Sequence, residues 1–549
     1  MVARAVRRPI VRWHGTGENA VVKTAEDPLD TTATGDAAAG RGRRARHKVS
    51  APAPVAVRPG SSGGTYRPLS DADIERIYST ALDVLAQIGI GDPIPEILRY
   101  ALPRGCTLGD DGRLRFPRGL VEDLLAVASR GYVRYAVDPA NDIEISGERV
   151  YFCTSGEAIT ILDYPTQTFR PTKLVDLYDA ARLVDRLSNI HCYGQPFIAA
   201  EYSEQIYVHD INVAYAALAG QNKPFAFSCA TVGHLDDLIA MFDLVAGGDG
   251  EFLKRPFCSI GGCPIVSPLR FGKDNAEVLV RTAELGLATD IAIAPQAGAT
   301  APAALAGALV QSFAETLACL AVVNMIRPGN PFDFGMWPFV SDLRTGGFTG
   351  GSGEEALLMA ASAQIANHYG LVSSVASGMT DAKTMDAQAG YEKGITITAA
   401  ALAGGNLVSA YPGIVGSLMG QSFEGLVIDN DLLGNAERLL RGIEVTDETL
   451  SYDVIAETVA GVGHYLGADQ TLRLMRSEFH YPDLADRTSP NEWQADGSRN
   501  IYDHAHDRVQ EILGTNYPEY LDPAVDARIR ERFPIRLDPA DMRPGNGRW

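Results

Sequence analysis

Leu371-Val372-Ser373-Ser374-Val375-Ala376-Ser377-Gly378-Met379-Thr380-Asp381-Ala382-Lys383-Thr384-Met385-Asp386-Ala387-Gln388-Ala389-Gly390-Tyr391-Glu392-Lys393 joins a strand-like run to a helix-like one. The first six residues are apolar or small, a β-like run suited to a buried strand. A dense polar loop follows, and residues 394–404 again favour a helix. Polar loops between buried strands and helices are where α/β barrels carry their chemistry. Asp386 is placed to cap a helix starting at Ala387, in which Gln388, Tyr391, Glu392 and Ile395 fall on one face. The segment reads in one of two ways. Either the loop presents Met379, Thr380 and Asp381 to a cavity, backed by Gln388, Tyr391 and Glu392, or the polar residues simply tie the loop down.

The same strand-then-helix rhythm repeats on the N-terminal side of this stretch and again after it. Short apolar runs occur at Ile190-His191-Cys192-Tyr193, Phe225-Ala226-Phe227-Ser228, Phe257-Cys258-Ser259-Ile260, Ile291-Ala292-Ile293-Ala294, Phe332-Asp333-Phe334-Gly335 and Leu407-Val408-Ser409-Ala410. Helical patterns separate most of them. With the strand before Ser377 these make seven units, which favours a TIM-like (β/α)8 barrel over flavodoxin-like winding. The eighth strand is expected near residues 151–162. Ser70 is expected to cap a helix reaching about residue 88, and the turn signals of 132–168 predict a small β element. The domain reading is a basic, mostly disordered tail over 1–67, an N-terminal helical and small β extension over 68–169, the barrel over 170–480, and a C-terminal helical segment over 481–549. Residues 502–513 are expected to form its last substantial helix.

Charge narrows the partners. The chain carries a net charge of −20, although its first 67 residues are rich in Arg around Gly40-Arg41-Gly42-Arg43-Arg44-Ala45-Arg46. Nucleic acid needs clustered basic residues on the folded body, and an acidic body argues against it. The seven cysteines form no C-x-x-C, and free thiols fit a reducing, cytoplasmic setting. The most apolar stretch, 303–326, is broken by Gln311, Glu315 and Asn324. It reads as a buried helix, with no membrane role.

Other loops carry candidate ligand-binding residues. Asp333-Phe334-Gly335-Met336-Trp337-Pro338-Phe339 clusters aromatic rings just past a strand. A cation over an aromatic face gains ~0.5–2 kcal/mol, so Phe334 and Trp337 are candidates for a quaternary ammonium cage. Tyr193 and Tyr411 follow two other strands and face the same expected cavity. The glycine-rich Gly346-Gly347-Phe348-Thr349-Gly350-Gly351-Ser352-Gly353-Glu354-Glu355 opens a helix, but its acids repel phosphate and read better as an N-terminal cap. No H-E-x-x-H or paired Cys/His set occurs, so no metal ligands are assigned.

The segment 377–393 resembles the signature of the trimethylamine methyltransferase family. The resemblance runs from about residue 64 to 532. It includes Gln296-Ala297-Gly298-Ala299-Thr300-Ala301-Pro302, Leu402-Ala403-Gly404-Gly405-Asn406, Leu426-Val427-Ile428-Asp429-Asn430 and Arg441-Gly442-Ile443-Glu444-Val445. It implies a TIM-like barrel that moves a methyl group from an amine to Co(I) of a corrinoid (cobalamin) carried by a separate, cognate corrinoid protein. No D-x-H-x-x-G corrinoid-binding motif occurs here, so no cofactor is expected to be bound permanently. Met379 stands where the archetype has pyrrolysine. Members without pyrrolysine resemble demethylases of quaternary amines such as betaines, and a thioether neither forms an amine adduct nor donates a proton. The resemblance therefore implies a quaternary amine substrate, with Asp381 and Glu392 as catalytic candidates supplying negative potential. Met379, Tyr391, Gln388, Phe334, Trp337, Tyr193, Tyr411 and Gln296 are the substrate-binding candidates. The alternatives are a trimethylamine-type tertiary amine methyltransferase, a corrinoid-independent barrel lyase or hydrolase, and a betaine-binding protein. A homo-oligomer is compatible with all of them. One departure from the family pattern is Gln470, where a His is usual before Thr471.

Overall fold

Buried apolar runs become parallel strands here because each is followed by a helix long enough to carry the chain back. A computed structural model of the chain describes residues 58–164 and 166–549. The Arg-rich core of the tail lies outside those residues. The described residues belong to one compact unit of mixed α/β structure built on a curled nine-stranded sheet.

Eight of the nine strands run parallel. In chain order they are β1 (Arg149–Cys153), β2 (Tyr193–Gly194), β3 (Phe225–Ser228), β4 (Cys258–Gly262), β5 (Thr289–Ile291), β6 (Phe332–Gly335), β7 (Ser373–Ala376) and β8 (Leu407–Ser409). Each is followed by a long helix: α1 (Leu174–Arg186), α2 (Ile206–Gly220), α3 (Val232–Ala246), α4 (Lys273–Leu285), α5 (Leu305–Ile326), α6 (Gly353–His368), α7 (Ala387–Leu402) and α8 (Phe423–Arg441). Strands β2 to β8 pair successively, and β8 pairs with β1. The ninth strand, Ser61–Ser62, pairs antiparallel with β1. An isolated parallel bridge joins Cys153 to Cys192, just before β2. Around it, the N–H of His191 donates to Phe152 O at 2.7 Å, and that of Thr154 to Cys192 O at 3.1 Å. The two ends of the parallel order are thus hydrogen-bonded to each other.

Sequence expectation and structure agree closely on element positions. The seven strands occur within about three residues of their expected places, and the eighth is β1, at the N-terminal edge of the window 151–162. Asp386 caps α7, accepting from the N–H of Gln388 (2.9 Å) and Ala389 (3.2 Å). Ser70 caps Asp71–Asp83, which continues through Val84–Ile88 as a π-helical turn. The expected small β element is two hairpins, Gly131–Arg134 with Ile143–Ser146 and Thr160–Asp163 with Thr168–Pro171. The helix expected over 502–513 is Ile501–Thr515, one residue longer at the start and two at the end, but it is not the last: a ten-residue helix, Pro523–Arg532, follows it. The C-terminal segment is locked on by the fully buried Arg182 of α1, whose Nε donates to Asn516 O at 2.6 Å.

Among the described residues only α5 is long and apolar enough to cross a membrane, and 83% of that window is buried inside the fold. Its one acid, Glu315, is fully buried but satisfied. It accepts from Ser267 Oγ and the Leu269 N–H, both at 2.8 Å, and from Gln311 Nε2 at 3.0 Å. A buried charge that gathers three donors offsets much of its desolvation cost.

Candidate functional site

Small residues at the C-terminal ends of the strands leave a hollow. Gly194, Ala226, Gly261, Gly262, Ser374 and Ser409 line a cavity of about 250 Å³. Gly261 has no alternative, because a Cβ there would lie 1.5 Å from Asp290 O on the neighbouring strand. The volume is near the low end for ligand pockets, so the cavity suits a small molecule.

Its walls are aromatic. Tyr193, Phe227, Trp337, Phe339 and Tyr411 all line it. Trp337 is held by its indole N–H, which donates to Ser374 O at 3.0 Å. Its ring centroid lies 6.3 Å from Tyr411 and 6.4 Å from Phe339, both near edge-on. Tyr411 sits at φ 42°, a left-handed backbone that a tyrosine rarely adopts. Such strain persists only where surrounding structure enforces it. Burial pushes both tyrosine phenols above their usual range, and for Tyr411 a hydrogen bond from Ser155 opposes this. Both rings stay neutral.

The floor is polar. Arg134 rises from the hairpin Gly131–Arg134 to meet Asp333, with Asp290 3.5 Å away. Tyr132 Oη donates to Asp333 Oδ1 at 2.6 Å. Two carboxylates share one guanidinium, with Asp333 fully buried and Asp290 partly open to the cavity. Burial raises Asp333 to about 7, with Arg134 opposing and the Asp290 charge adding to the rise. Arg134 and Asp290 both line the cavity, as does Gln195, whose buried Oε1 has no partner among the described residues.

The loop after β7 stands beside this cavity as a braced wall. Gly378 turns it at φ 73°, where a Cβ would meet Ala410 O at 2.0 Å. Met379 is fully buried in the same apolar cluster as Trp337, Phe339 and Tyr411. Asp381 accepts from the Gly350 N–H (3.0 Å), from Ser417 Oγ (2.5 Å) and from Thr349 Oγ1. Glu392 accepts from Thr380 Oγ1 (2.5 Å), the Asp381 N–H (2.9 Å) and Gln388 Nε2 (2.9 Å). Lys393 Nζ is paired with Asp429 at 2.9 Å and donates to Gly378 O at 2.6 Å. Glu355 lies buried nearby with both carboxyl oxygens unpartnered among the described residues. Burial, then the charges of Asp381 and Glu392, hold its carboxyl well above the usual range.

Three sequence candidates, Tyr193, Trp337 and Tyr411, therefore meet at one cavity. Met379 and Asp381 lie in the adjoining loop, and Gln388 and Glu392, at the start of α7, brace it. The other three stand apart. Tyr391 is 58% exposed on the outer side of α7. Phe334 packs with Phe313 at 5.8 Å in a different apolar cluster. Gln296 accepts from Ser341 Oγ at 3.1 Å and organises the turn to Ala301. Gln470 bonds reciprocally with Ser451, at 2.8 and 3.0 Å, far along the chain from any cavity-lining residue. Sequence reasoning missed Arg134, Asp290 and Asp333. The available signal was an acid inside each apolar strand, Thr289-Asp290-Ile291 and Phe332-Asp333-Phe334, since such an acid needs a buried partner.

A small hollow with aromatic walls, set at the C-terminal ends of parallel strands, belongs to an α/β enzyme that works on a small molecule. The profile of the trimethylamine methyltransferase (MTTB) family matches residues 38–536, and the chain belongs to that family. It is 31% identical over 468 residues to a glycine betaine methyltransferase of Desulfitobacterium hafniense (strain Y51), covering 85% of this chain and 96% of the relative. It is 28% identical over 463 residues to a trimethylamine methyltransferase MttB of D. hafniense (strain DSM 10664 / DCB-2), covering 84% and 92%. A trimethylamine methyltransferase MttB of Methanosarcina thermophila is 29% identical over 462 residues, covering 82% and 94%.

Proposed function

We propose that this amine methyltransferase takes a methyl group from a betaine-like quaternary amine and passes it to Co(I) of a corrinoid carried by a partner protein. The observation that carries the reading is the aromatic enclosure of Tyr193, Trp337 and Tyr411 around a small cavity, beside a buried Met379. In the transfer the N–CH3 bond breaks and its electron pair leaves with nitrogen as a neutral tertiary amine. Co(I) supplies both electrons of the new bond to carbon. A quaternary ammonium needs no acid to activate this departure, whereas a tertiary amine does. Met379 offers no such help, which favours a substrate already quaternary.

The protein's contribution is orientation and cation stabilisation in a water-poor cavity. Aromatic faces hold the ammonium, and the polar floor of Arg134 and Asp290 takes the tail of the substrate. Asp381 and Glu392 fix the loop that carries Met379, and their charge adds to the negative potential of that wall. The curled sheet is read as a closed TIM-like (β/α)8 barrel, supported by eight parallel strands and the Cys153–Cys192 bridge. The corrinoid protein then docks over the strand C-terminal end. Six buried free thiols and one exposed one suit the reducing cytoplasm that Co(I) chemistry requires.

Titration calorimetry tests the substrate class. Glycine betaine, proline betaine and carnitine are compared with their neutral carbon isosteres and with trimethylamine. At least one quaternary amine binds, and Trp337→Ala weakens it about tenfold, within the range of a desolvated cation–π contact. Equal binding of the neutral isosteres, or preference for trimethylamine, sinks the reading.

A further inference from the structure

Residues 443–481 leave the body after α8 and return to it. Both ends are anchored. Arg438 Nε and Arg441 Nη2 donate to Glu478 O at 2.7 and 2.6 Å, and Asp431 accepts from the N–H groups of Asp483, Leu484 and Ala485. Within the excursion, the Ser451–Gln470 bonds link α9 (Tyr452–Ala460) to the region of α10 (Asp469–Leu474). The arm is therefore organised, but it has no core of its own. Only Thr458 of α9 is buried and nothing of α10, and neither helix joins any of the apolar clusters.

What the arm shows to solvent is apolar. Ile443 is 88% exposed, Tyr452 80%, Val459 76%, Val462 76%, Leu466 81% and Phe479 64%. Thirteen of the thirty-two exposed large hydrophobic residues among those described fall within this one excursion. Aromatic side chains carry roughly 150–250 Å² each, so the exposed apolar area is on the order of 1,000 Å². That exceeds the few hundred Å² of a monomer's largest patch and matches one side of a stable interface.

Position selects the occupant. The arm grows from the C-terminal end of α8, where Glu437 lies 3.1 Å from His191 Nε2 and 3.6 Å from Arg58. His191 precedes β2, so this is the N-terminal end of the strands. The cavity is at the other end. A corrinoid protein that must reach the cavity and leave in every cycle has no use for a permanently apolar surface rooted on the opposite face.

We propose that the 443–481 arm docks onto a second copy of this chain and holds a permanent homo-oligomer. Each copy supplies the same arm, so symmetric exchange covers every arm at once and closes the assembly. The contact leaves the cavity ends free for the transient partner. The inference stands apart from the substrate reading, because mass measurement involves no amine.

The full chain is examined by sedimentation velocity and native mass spectrometry from sub-micromolar to tens of micromolar. The expected result is an oligomer with no monomer at working concentration. Tyr452→Glu with Leu466→Glu shifts it to monomer while far-UV circular dichroism is unchanged, and Val462→Gln shifts it partly should the double variant misfold. Leu108→Glu, an exposed apolar site on the N-terminal extension, leaves the oligomer intact. A wild-type monomer throughout overturns the proposal. So does association that occurs only with the corrinoid protein or with phosphatidylcholine–phosphatidylglycerol vesicles, and so does an oligomer that survives all the arm variants.

Discussion

Met379 has no exposed surface, and its place in the account follows from what a thioether lacks. It packs against Gly350, where an added Cβ would come within 2.6 Å of Met379 Cβ. If the side chain acts by filling space, Met379→Leu keeps folding and methyl transfer within a few-fold of wild type, since volume-conserving swaps cost under about 1.5 kcal/mol. Met379→Ala leaves a cavity and lowers unfolding stability by about 2–5 kcal/mol in chemical denaturation. Loss of transfer in the Leu variant with normal stability would assign the sulfur a direct role. Asp333 gives a second residue-level expectation. Its carboxyl is raised to about 7 in the folded state, against about 3.9 unfolded. The stability from its retained proton is full below the unfolded value and is lost as pH rises through the folded one. Asp333→Asn mimics the protonated form. Wild type therefore loses stability relative to this variant between pH 4 and about 7, by up to about 1.4 kcal/mol per unit, and the difference levels off above. A pH-independent difference in denaturation midpoints would contradict the assignment.

At the scale of elements, the loop after β7 and the loop before α6 are one braced unit, and Asp381 is its pin. Removing the carboxylate in Asp381→Ala leaves the Gly350 N–H and two hydroxyls without their acceptor, which costs about 1–3 kcal/mol. Hydrogen exchange at Gly350 and across residues 377–382 should accelerate, together with a drop in methyl transfer. If transfer is lost while exchange and stability are unchanged, Asp381 acts on the substrate itself. Elements were the most legible level in the sequence. Period and punctuation located the strands, because each buried run ends in glycine, proline or a small polar residue. The caps Ser70 and Asp386 were legible for the same local reason. The site was legible only in part. Trp337 and Tyr411 follow strand ends and so announce their position, whereas Phe334 lies inside β6, where alternation turns its ring toward the outer helices. Arg134 was not legible at all, since it reaches Asp333 across 199 residues of chain. Tyr391 shares a helical face with Gln388 on paper, but it points outward because α7 buries Ala389, Glu392 and Lys393.

At the scale of the whole molecule, two ends of one parallel sheet carry different tasks. The strand C-terminal end holds the cavity, and the N-terminal end anchors the arm and the Ser61–Ser62 strand. That separation would let the proposed corrinoid partner and the proposed second copy bind without competition. The central claim is that the amine must arrive quaternary, and methyl transfer tests it most directly. The full chain is mixed with Co(I)-cobalamin under anaerobic reduction, with glycine betaine, proline betaine, carnitine or trimethylamine as donor, and methyl-Co(III) formation is followed by absorbance. The account predicts transfer from at least one quaternary amine and none from trimethylamine. Transfer from trimethylamine with none from any quaternary donor would contradict it.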